Sequence, residues 1–248
     1  MNDVVLVTGG SRGIGAATAR LAADRGYDVC ISYHSDTAAA NDVVAEIVAA
    51  GRSAVAVRGD VASEPDVIRL FATCQAELGV PVGLVNNAGV VALQSRVENM
   101  TAERLQRVFA VNIVGSFLCA REAVKCMSTS NGGVGGSIVN LSSAASRIGS
   151  PHEFIDYAAS KGAIDAFTLG LAKEVATEGI RVNAVRPGLI DTEIHASSGE
   201  PGRIDRLRSA IPMQREGSAK EVAQTIFWLL SSESSYTTGS FVEVSGGR

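Results

Sequence analysis

The chain reads as an α/β protein with a seven-stranded parallel sheet, doubly wound, and helices on both faces. Three observations predict this. Apolar runs of strand length alternate with helical segments from end to end, the pattern of β/α units in a parallel sheet. The runs are near-continuous Val, Ile, Leu and Ala rather than strict alternations, as strands covered on both faces should be. No linker divides the 248 residues, so one domain over 1–248, large enough to bury a sizeable core, is favoured over two small ones.

In chain order, Val4–Val7 is the first strand, and the glycine-rich turn Thr8–Gly15 leads from it into a helix over 14–25. Asp28–Tyr33, Ser53–Arg58 and Val82–Asn86 read as the next three strands, with helices over 37–50, 65–78 and 102–127. Residues 129–136 form a Gly-rich turn too short to separate domains, before a strand over Ser137–Ser142. A helix over 154–177 leads to the strand Arg181–Val185. A helix over 219–231 and the strand Ser240–Val244 close the pattern. Right-handed crossovers then put helices on both sheet faces. Residues 187–212 interrupt the rhythm with Pro187, Pro201 and Pro212 and three glycines. Following a strand's carboxyl end, the stretch from about 189 to 212 reads as a lid over a site rather than a loose insertion.

Composition narrows the function classes. Hydrophobic residues make up 46% and charged residues 19% of the chain, and a net charge of −4 leaves no basic face for nucleic acid. No run approaches the about 20 apolar residues of a membrane span. The N-terminus enters the first strand with no basic leader. Cys30, Cys74, Cys119 and Cys126 show no ligand spacing, which suits free thiols in a reducing compartment. His34, His152 and His195 lie far apart, so no metal centre is expected. A cytoplasmic protein is the expectation.

Two patterns carry chemistry. Tyr157 and Lys161 stand four residues apart in an Ala-rich helical stretch, so phenol and ammonium share one helix face. A tyrosine titrates near pH 10, and a fixed cation beside it favours the phenolate. At the other end, Gly9, Gly13 and Gly15 follow a strand and open a helix. Such glycines let the chain turn sharply and bring backbone N–H groups and the helix dipole to a pyrophosphate.

The glycine spacing differs from GxGxxG, and with it the chain resembles an ordinary-length short-chain dehydrogenase/reductase, a single-domain Rossmann fold, over essentially its whole length. The motifs in register are TGxxxGxG at 8–15, Asn-Asn-Ala-Gly at 86–89, Asn112, a serine pair at 142–143, YxxxK at 157–161, and Pro187-Gly188. The resemblance implies an oxidoreductase in which Tyr157 is the acid/base. Lys161 lowers its pKa and holds the nicotinamide ribose, Ser143 orients the substrate oxygen, and Asn112 kinks its helix and holds a relay water. Ser143 rather than Ser142 matches by its distance from the strand; it lies fourteen residues before Tyr157, one more than in most members. It further implies that Gly9, Ser11, Arg12, Gly13, Ile14 and Gly15 cradle the cofactor phosphates, with Asp60 and Val61 at the adenine. Asn86, Asn87, Ala88 and Gly89 form the turn along the adenosine ribose. Pro187, Gly188, Ile190 and Thr192 lie at the carboxamide.

Cofactor choice is a charge question. NAD-type members place an acid at the end of the second strand, where it bonds the ribose 2′-OH and repels a 2′-phosphate. Here Tyr33, His34 and Ser35 stand there, and Arg12 offers a guanidinium. NADP is therefore favoured, with NAD possible.

Around the substrate, Val90–Arg96, Ala144–Asp156 and 189–212 offer mostly polar groups, with His152 and His195 as rim residues. A small carbonyl compound or its alcohol fits, and the chain resembles the glucose-1-dehydrogenase-like and carbonyl reductase branch. The alternatives are a 3-ketoacyl-carrier-protein reductase or a non-catalytic nucleotide-binding protein. Ser128–Gly136 and Thr177–Gly179 lack any Lys or Arg for an acidic carrier, which speaks against the first. The resemblance also implies a homotetramer joined through helix 219–231 with the last strand, and through helices 102–127 and 154–177.

Overall fold

The computed structural model describes residues 3–192, 199–200 and 202–248; His195 lies outside them. Its centre is a seven-stranded sheet in which every pairing is parallel. The strands are β1 (Val4–Val7), β2 (Asp28–Tyr33), β3 (Ala54–Arg58), β4 (Pro81–Asn86), β5 (Gly136–Leu141), β6 (Ile180–Pro187) and β9 (Phe241–Val244). Their spatial order is β3-β2-β1-β4-β5-β6-β9. The order reverses at β1, which pairs with both β2 and β4, and a crevice opens beyond the carboxyl ends of strands at such a point.

Both faces are covered, which explains the unbroken apolar strands. One core packs Val5, Val7, Ile31 and Val139 against helices α1 (Gly13–Asp24), α2 (Thr37–Ala49) and α9 (Ala219–Leu230). The other packs Leu6, Leu84, Ile138 and Val182 against α3 (Glu64–Glu77), α5 (Gly115–Met127) and α7 (Ile155–Glu174). Successive residues of each strand therefore serve opposite cores.

The helix expected over 102–127 is broken. It runs as α4 (Ala102–Phe109), a π-helical turn (Ala110–Val114) and α5. At the turn, the Asn112 side chain bonds a neighbouring loop, and the Ser116 hydroxyl donates to the Asn112 carbonyl at 3.1 Å. Such insertions into the helical ladder are a recognised cause of bends.

After β6 a short pair, β7 (Ile190–Asp191) and β8 (Gly217–Ser218), forms outside the main sheet, with α8 (Arg203–Leu207) between them in the chain. The Ala144–Asp156 loop holds a short helix, α6 (Ala145–Ile148), and two non-glycine residues with positive φ, Ser150 at 45° and His152 at 65°. This is the loop in which the spacing predicts one extra residue. Among the described residues no helix is long and apolar enough to cross a membrane, and no cluster of His, Cys, Asp or Glu could hold a metal.

Candidate active site

A cavity of about 390 Å³ runs along the carboxyl ends of the strands, from the glycine turn to the lid. At one end lies the start of α1. Its N-cap residue, Arg12, makes no side-chain cap, so the first-turn amides face the cavity without an internal partner. Gly9 has φ +64°, and a Cβ there would lie 3.1 Å from Ala88 Cα. At Gly15 a Cβ would lie 2.3 Å from the Gly9 carbonyl oxygen. Glycine is thus required for the turn to close, and the open amides fit a phosphate. The Thr8 hydroxyl ties this turn to the next strand: it donates to Val85 O and accepts from the Asn87 and Ala88 amides, both at 3.0 Å.

Nearly every residue expected at the cofactor lines this cavity. Ser11, Arg12, Gly13 and Ile14 border it at the turn; Tyr33, His34 and Ser35 at the end of β2; Asp60 and Val61 after β3. Asn87, Ala88 and Gly89 follow β4, and Pro187, Gly188, Ile190 and Thr192 follow β6. Gly15 is set behind the wall as packing. Asn86 departs from its expected place. It is buried, donating to Asn140 Oδ1 at 2.9 Å and Ser116 O at 3.2 Å, so it fastens β4 to β5 and α5.

Two acids stand at the adenosine end. Asp60 pairs with Arg107 at 2.6 Å and lies 3.9 Å from His34. Burial opposes its ionisation, but the Ala62 amide, Arg107 and His34 together hold its carboxyl below the usual range. Asp36 also borders the cavity, which sequence reasoning overlooked; its carboxylate accepts from the Ala39 amide at 2.9 Å as the N-cap of α2. Arg107, a helix-surface arginine by pattern, is a further cation on the wall.

At the other end Ser143, Tyr157 and Lys161 converge. The two serines divide their tasks. The Ser142 hydroxyl points inward to Asp165 at 2.6 Å and the Lys161 carbonyl at 3.3 Å. The Ser143 hydroxyl instead lies at the Tyr157 phenol, where its interaction favours the phenolate, and accepts from the Ala145 amide at 3.1 Å. Lys161 is buried; its Nζ donates to Leu141 O at 2.6 Å and lies 5.5 Å from the centre of the Tyr157 ring. Phenol and amine do share one helix face. Burial lowers the Lys161 pKa to about 8, with Asp165 opposing, so the amine is cationic at neutrality.

The expected depression of the tyrosine pKa is corrected by the structure. Burial pushes the Tyr157 phenol above its ordinary value, outweighing the Ser143 hydrogen bond and the charge of Arg203. A phenol with a raised pKa holds its proton at neutrality and can donate it. Asn112 does not line the cavity. Its Oδ1 accepts from the Val90 amide at 2.8 Å, and its Nδ2 donates to Val90 O at 3.0 Å and Ser160 Oγ at 3.1 Å. Its side chain thus ties the loop after Gly89 to the turn of α7 that carries Lys161.

The start of α7 is anchored by a pair the sequence did not reveal. Arg104 grips Asp156 with two hydrogen bonds, 2.7 and 3.2 Å, and Asp156 is 3% exposed. The same carboxylate accepts from the Tyr157 amide at 2.9 Å, as a negative charge in a first turn should. The tyrosine is held at its backbone.

With this geometry in place, comparison with known proteins is decisive. The family model described as enoyl-(acyl carrier protein) reductase matches residues 9–248. A solved short-chain type dehydrogenase/reductase from Mycobacterium marinum superposes with a TM-score of 0.92 at 33% identity, over 99% of this chain and 94% of that one. The chain belongs to the short-chain dehydrogenase/reductase family. An uncharacterized oxidoreductase, YgfF, of Escherichia coli (strain K12) is 56% identical over 99% of both proteins. Glucose 1-dehydrogenase 2 of Bacillus subtilis (strain 168) is 36% identical, over 98% of this chain and 93% of the relative. A blue fluorescent protein from a metagenomic library, solved in complex with NADPH, shares 32% identity with this short-chain dehydrogenase/reductase. Its TM-score is 0.90, over 99% of this chain and 97% of the other.

Proposed function

We propose that this short-chain dehydrogenase/reductase is an NADP(H)-dependent carbonyl reductase for small molecules, with Tyr157 as proton donor. The observation that carries the reading is the convergence of Ser143, Tyr157 and Lys161 in the same cavity as the open helix start at Arg12. The bound nicotinamide supplies a hydride to the carbonyl carbon. Tyr157 gives its proton to the carbonyl oxygen as that oxygen becomes an alcohol. Ser143 has its oxygen fixed by the Ala145 amide and turns its hydrogen toward the same oxygen. Lys161 brings a positive charge to the pocket without spending all its hydrogens, since Leu141 O takes one.

Two observations support NADP over NAD. Arg12, whose side chain makes no helix cap, borders the cavity beside the glycine turn, whereas Arg107 is paired with Asp60 and Asp36 is the N-cap of α2. The NADPH complex of the blue fluorescent relative points the same way. Against a carrier-bound substrate, Ser128 and Glu178 hydrogen-bond each other across the two regions that lack Lys and Arg. We further propose a homotetramer working in the cytoplasm. Phe117 stacks on Phe167 with ring centres 3.8 Å apart, and Val114 at the end of the π-helical turn, Phe117 on α5 and Leu169 on α7 are exposed apolar side chains. β9 is an edge strand, and Trp228 on α9 beside it is 38% exposed.

The test is a panel of aldehydes, ketones, sugars and acyl thioesters followed at the NADPH and NADH absorbance. At least one small carbonyl should be reduced about tenfold faster or more with NADPH. Turnover of acyl thioesters alone, or a preference for NADH, would contradict the reading.

A further inference from the structure

The reading above leaves a group of charges at the lid without a role. Arg203, at the first position of α8, borders the cavity alongside Ser143, Phe154 and Tyr157. Its side chain is 11% exposed, and its guanidinium lies over the Phe154 ring, 4.7 Å from the centre. Its Nη1 is 2.5 Å from Glu153 Oε2, yet that nitrogen is buried with no hydrogen bond of proper geometry. The contact is charge against charge, without the alignment that makes a guanidinium–carboxylate pair strong.

The surroundings are rich in positive charge. Arg206 also reaches Glu153 at 2.6 Å and is shared with Glu200, at 2.6 Å. Arg203 lies 3.7 Å from Glu200. Arg248 borders the same cavity, and burial together with the charges of Arg203 and Arg206 lowers its pKa despite Glu153. Three arginines thus share two glutamates, Glu153 and Glu200. Arg203 is the one of the three that stands on the cavity wall together with Ser143, Phe154 and Tyr157 while contacting both glutamates, and its positive charge is felt at the Tyr157 phenol. A guanidinium this dry, whose paired carboxylate leaves Nη1 without an aligned hydrogen bond, gains from a ligand that completes its bonding.

Resting on the reductase reading, we propose that Arg203, backed by Arg248, is a specificity site that selects carbonyl substrates carrying an anionic group, foremost a carboxylate, a few bonds from the reacting carbon. The guanidinium fork takes a carboxylate with two parallel hydrogen bonds. Phe154 holds the fork flat, and Glu153 passes to Arg206, which already contacts it. The acid end of the substrate is then clamped between the lid and the loop before Tyr157, with its carbonyl directed to Ser143 and Tyr157. A phosphate ester would present the same chemistry, so the two anions are separated by experiment.

The test compares 4-oxopentanoate with its methyl ester, and dihydroxyacetone phosphate with dihydroxyacetone, as NADPH-dependent substrates of the parent, Arg203→Gln and Arg203→Lys. The parent should favour the carboxylate over its ester by about 10- to 100-fold in kcat/KM, the range for one hydrogen-bonded charge, mostly through KM. Arg203→Gln should collapse that ratio toward one, and Arg203→Lys should restore part of it. A preference only within the phosphate pair would assign the site to phosphate esters and overturn the carboxylate. As a readout that needs no turnover, 4-oxopentanoate with NADP+ should raise the melting temperature of the parent more than that of Arg203→Gln. Equal shifts, or a parent that treats acid and ester alike while reducing neutral carbonyls, would overturn this inference and leave the reductase reading standing. Failure of every carbonyl, charged or neutral, would overturn both.

Discussion

Lys161 shows how a single residue is set by competing effects. Its amine is buried with one backbone acceptor, so the protein holds a cation where water would hold it better. Burial takes its pKa from 10.5 to about 8, a folded value below the unfolded one. Folding therefore opposes the proton. The penalty is fully present below pH 8, shrinks as pH rises from 8 to 10.5, and is absent above. At 1.36 kcal/mol per unit it amounts to about 3 kcal/mol at neutrality. Lys161→Met should accordingly raise the melting temperature of the ligand-free protein by several degrees at pH 7, with the gain fading toward pH 10. Scanning calorimetry at both pH values checks this; a lower melting temperature for the variant at pH 7 would contradict it. Such destabilising charge in a cavity is what functional sites accept and cores do not. At this scale the sequence placed the amine and phenol on one face through their spacing. It could not weigh burial against charge, because desolvation depends on walls contributed by distant segments. The preference for Ser143 over Ser142 rested only on its distance from the strand; the Asp165 carboxylate that takes the Ser142 hydroxyl comes from a helix twenty-three positions on, which the spacing does not reveal.

At the scale of elements, the strands and helices lie within a few residues of where apolar runs and glycine turns put them, as in β2 over Asp28–Tyr33 and α2 over Thr37–Ala49. What escaped were features made by contacts between segments. The π-helical turn at Ala110–Val114 depends on Asn112 reaching Val90 and Ser160, which no local pattern encodes. The Arg104–Asp156 pair joins α4 to α7 across fifty-two positions. Its long separation hid it, although an acid in the first turn of a helix is a readable sign. The break in rhythm over 187–212 was legible from its Pro and Gly, but helix α8 and the β7–β8 pair were not. Short elements are held by tertiary contacts rather than by periodicity. The fourteen-residue spacing from Ser143 to Tyr157 spans the loop where Ser150 and His152 take positive φ, a conformation that side chains adopt at a cost.

At the scale of the whole molecule, the sheet order places the glycine turn after β1 and the serine pair after β5 at the same edge of the sheet, so one cavity serves both ends of a dinucleotide and its substrate. The exposed Val114, Phe117 and Leu169, with β9 at the sheet edge, leave apolar surface and one open strand edge that a lone subunit would present to water. Light scattering at micromolar concentration should report four times 25.6 kDa, and Phe117→Lys should shift the population toward smaller species. A parent that is a clean monomer would remove the tetramer. The closest test of the account's central claim is the proton supplied by Tyr157. In Tyr157→Phe, NADPH binding followed by nicotinamide fluorescence should stay within a few-fold of the parent, while kcat for carbonyl reduction falls at least 100-fold, the low end for a lost general acid. A variant that binds NADPH and reduces carbonyls as fast as the parent would contradict it.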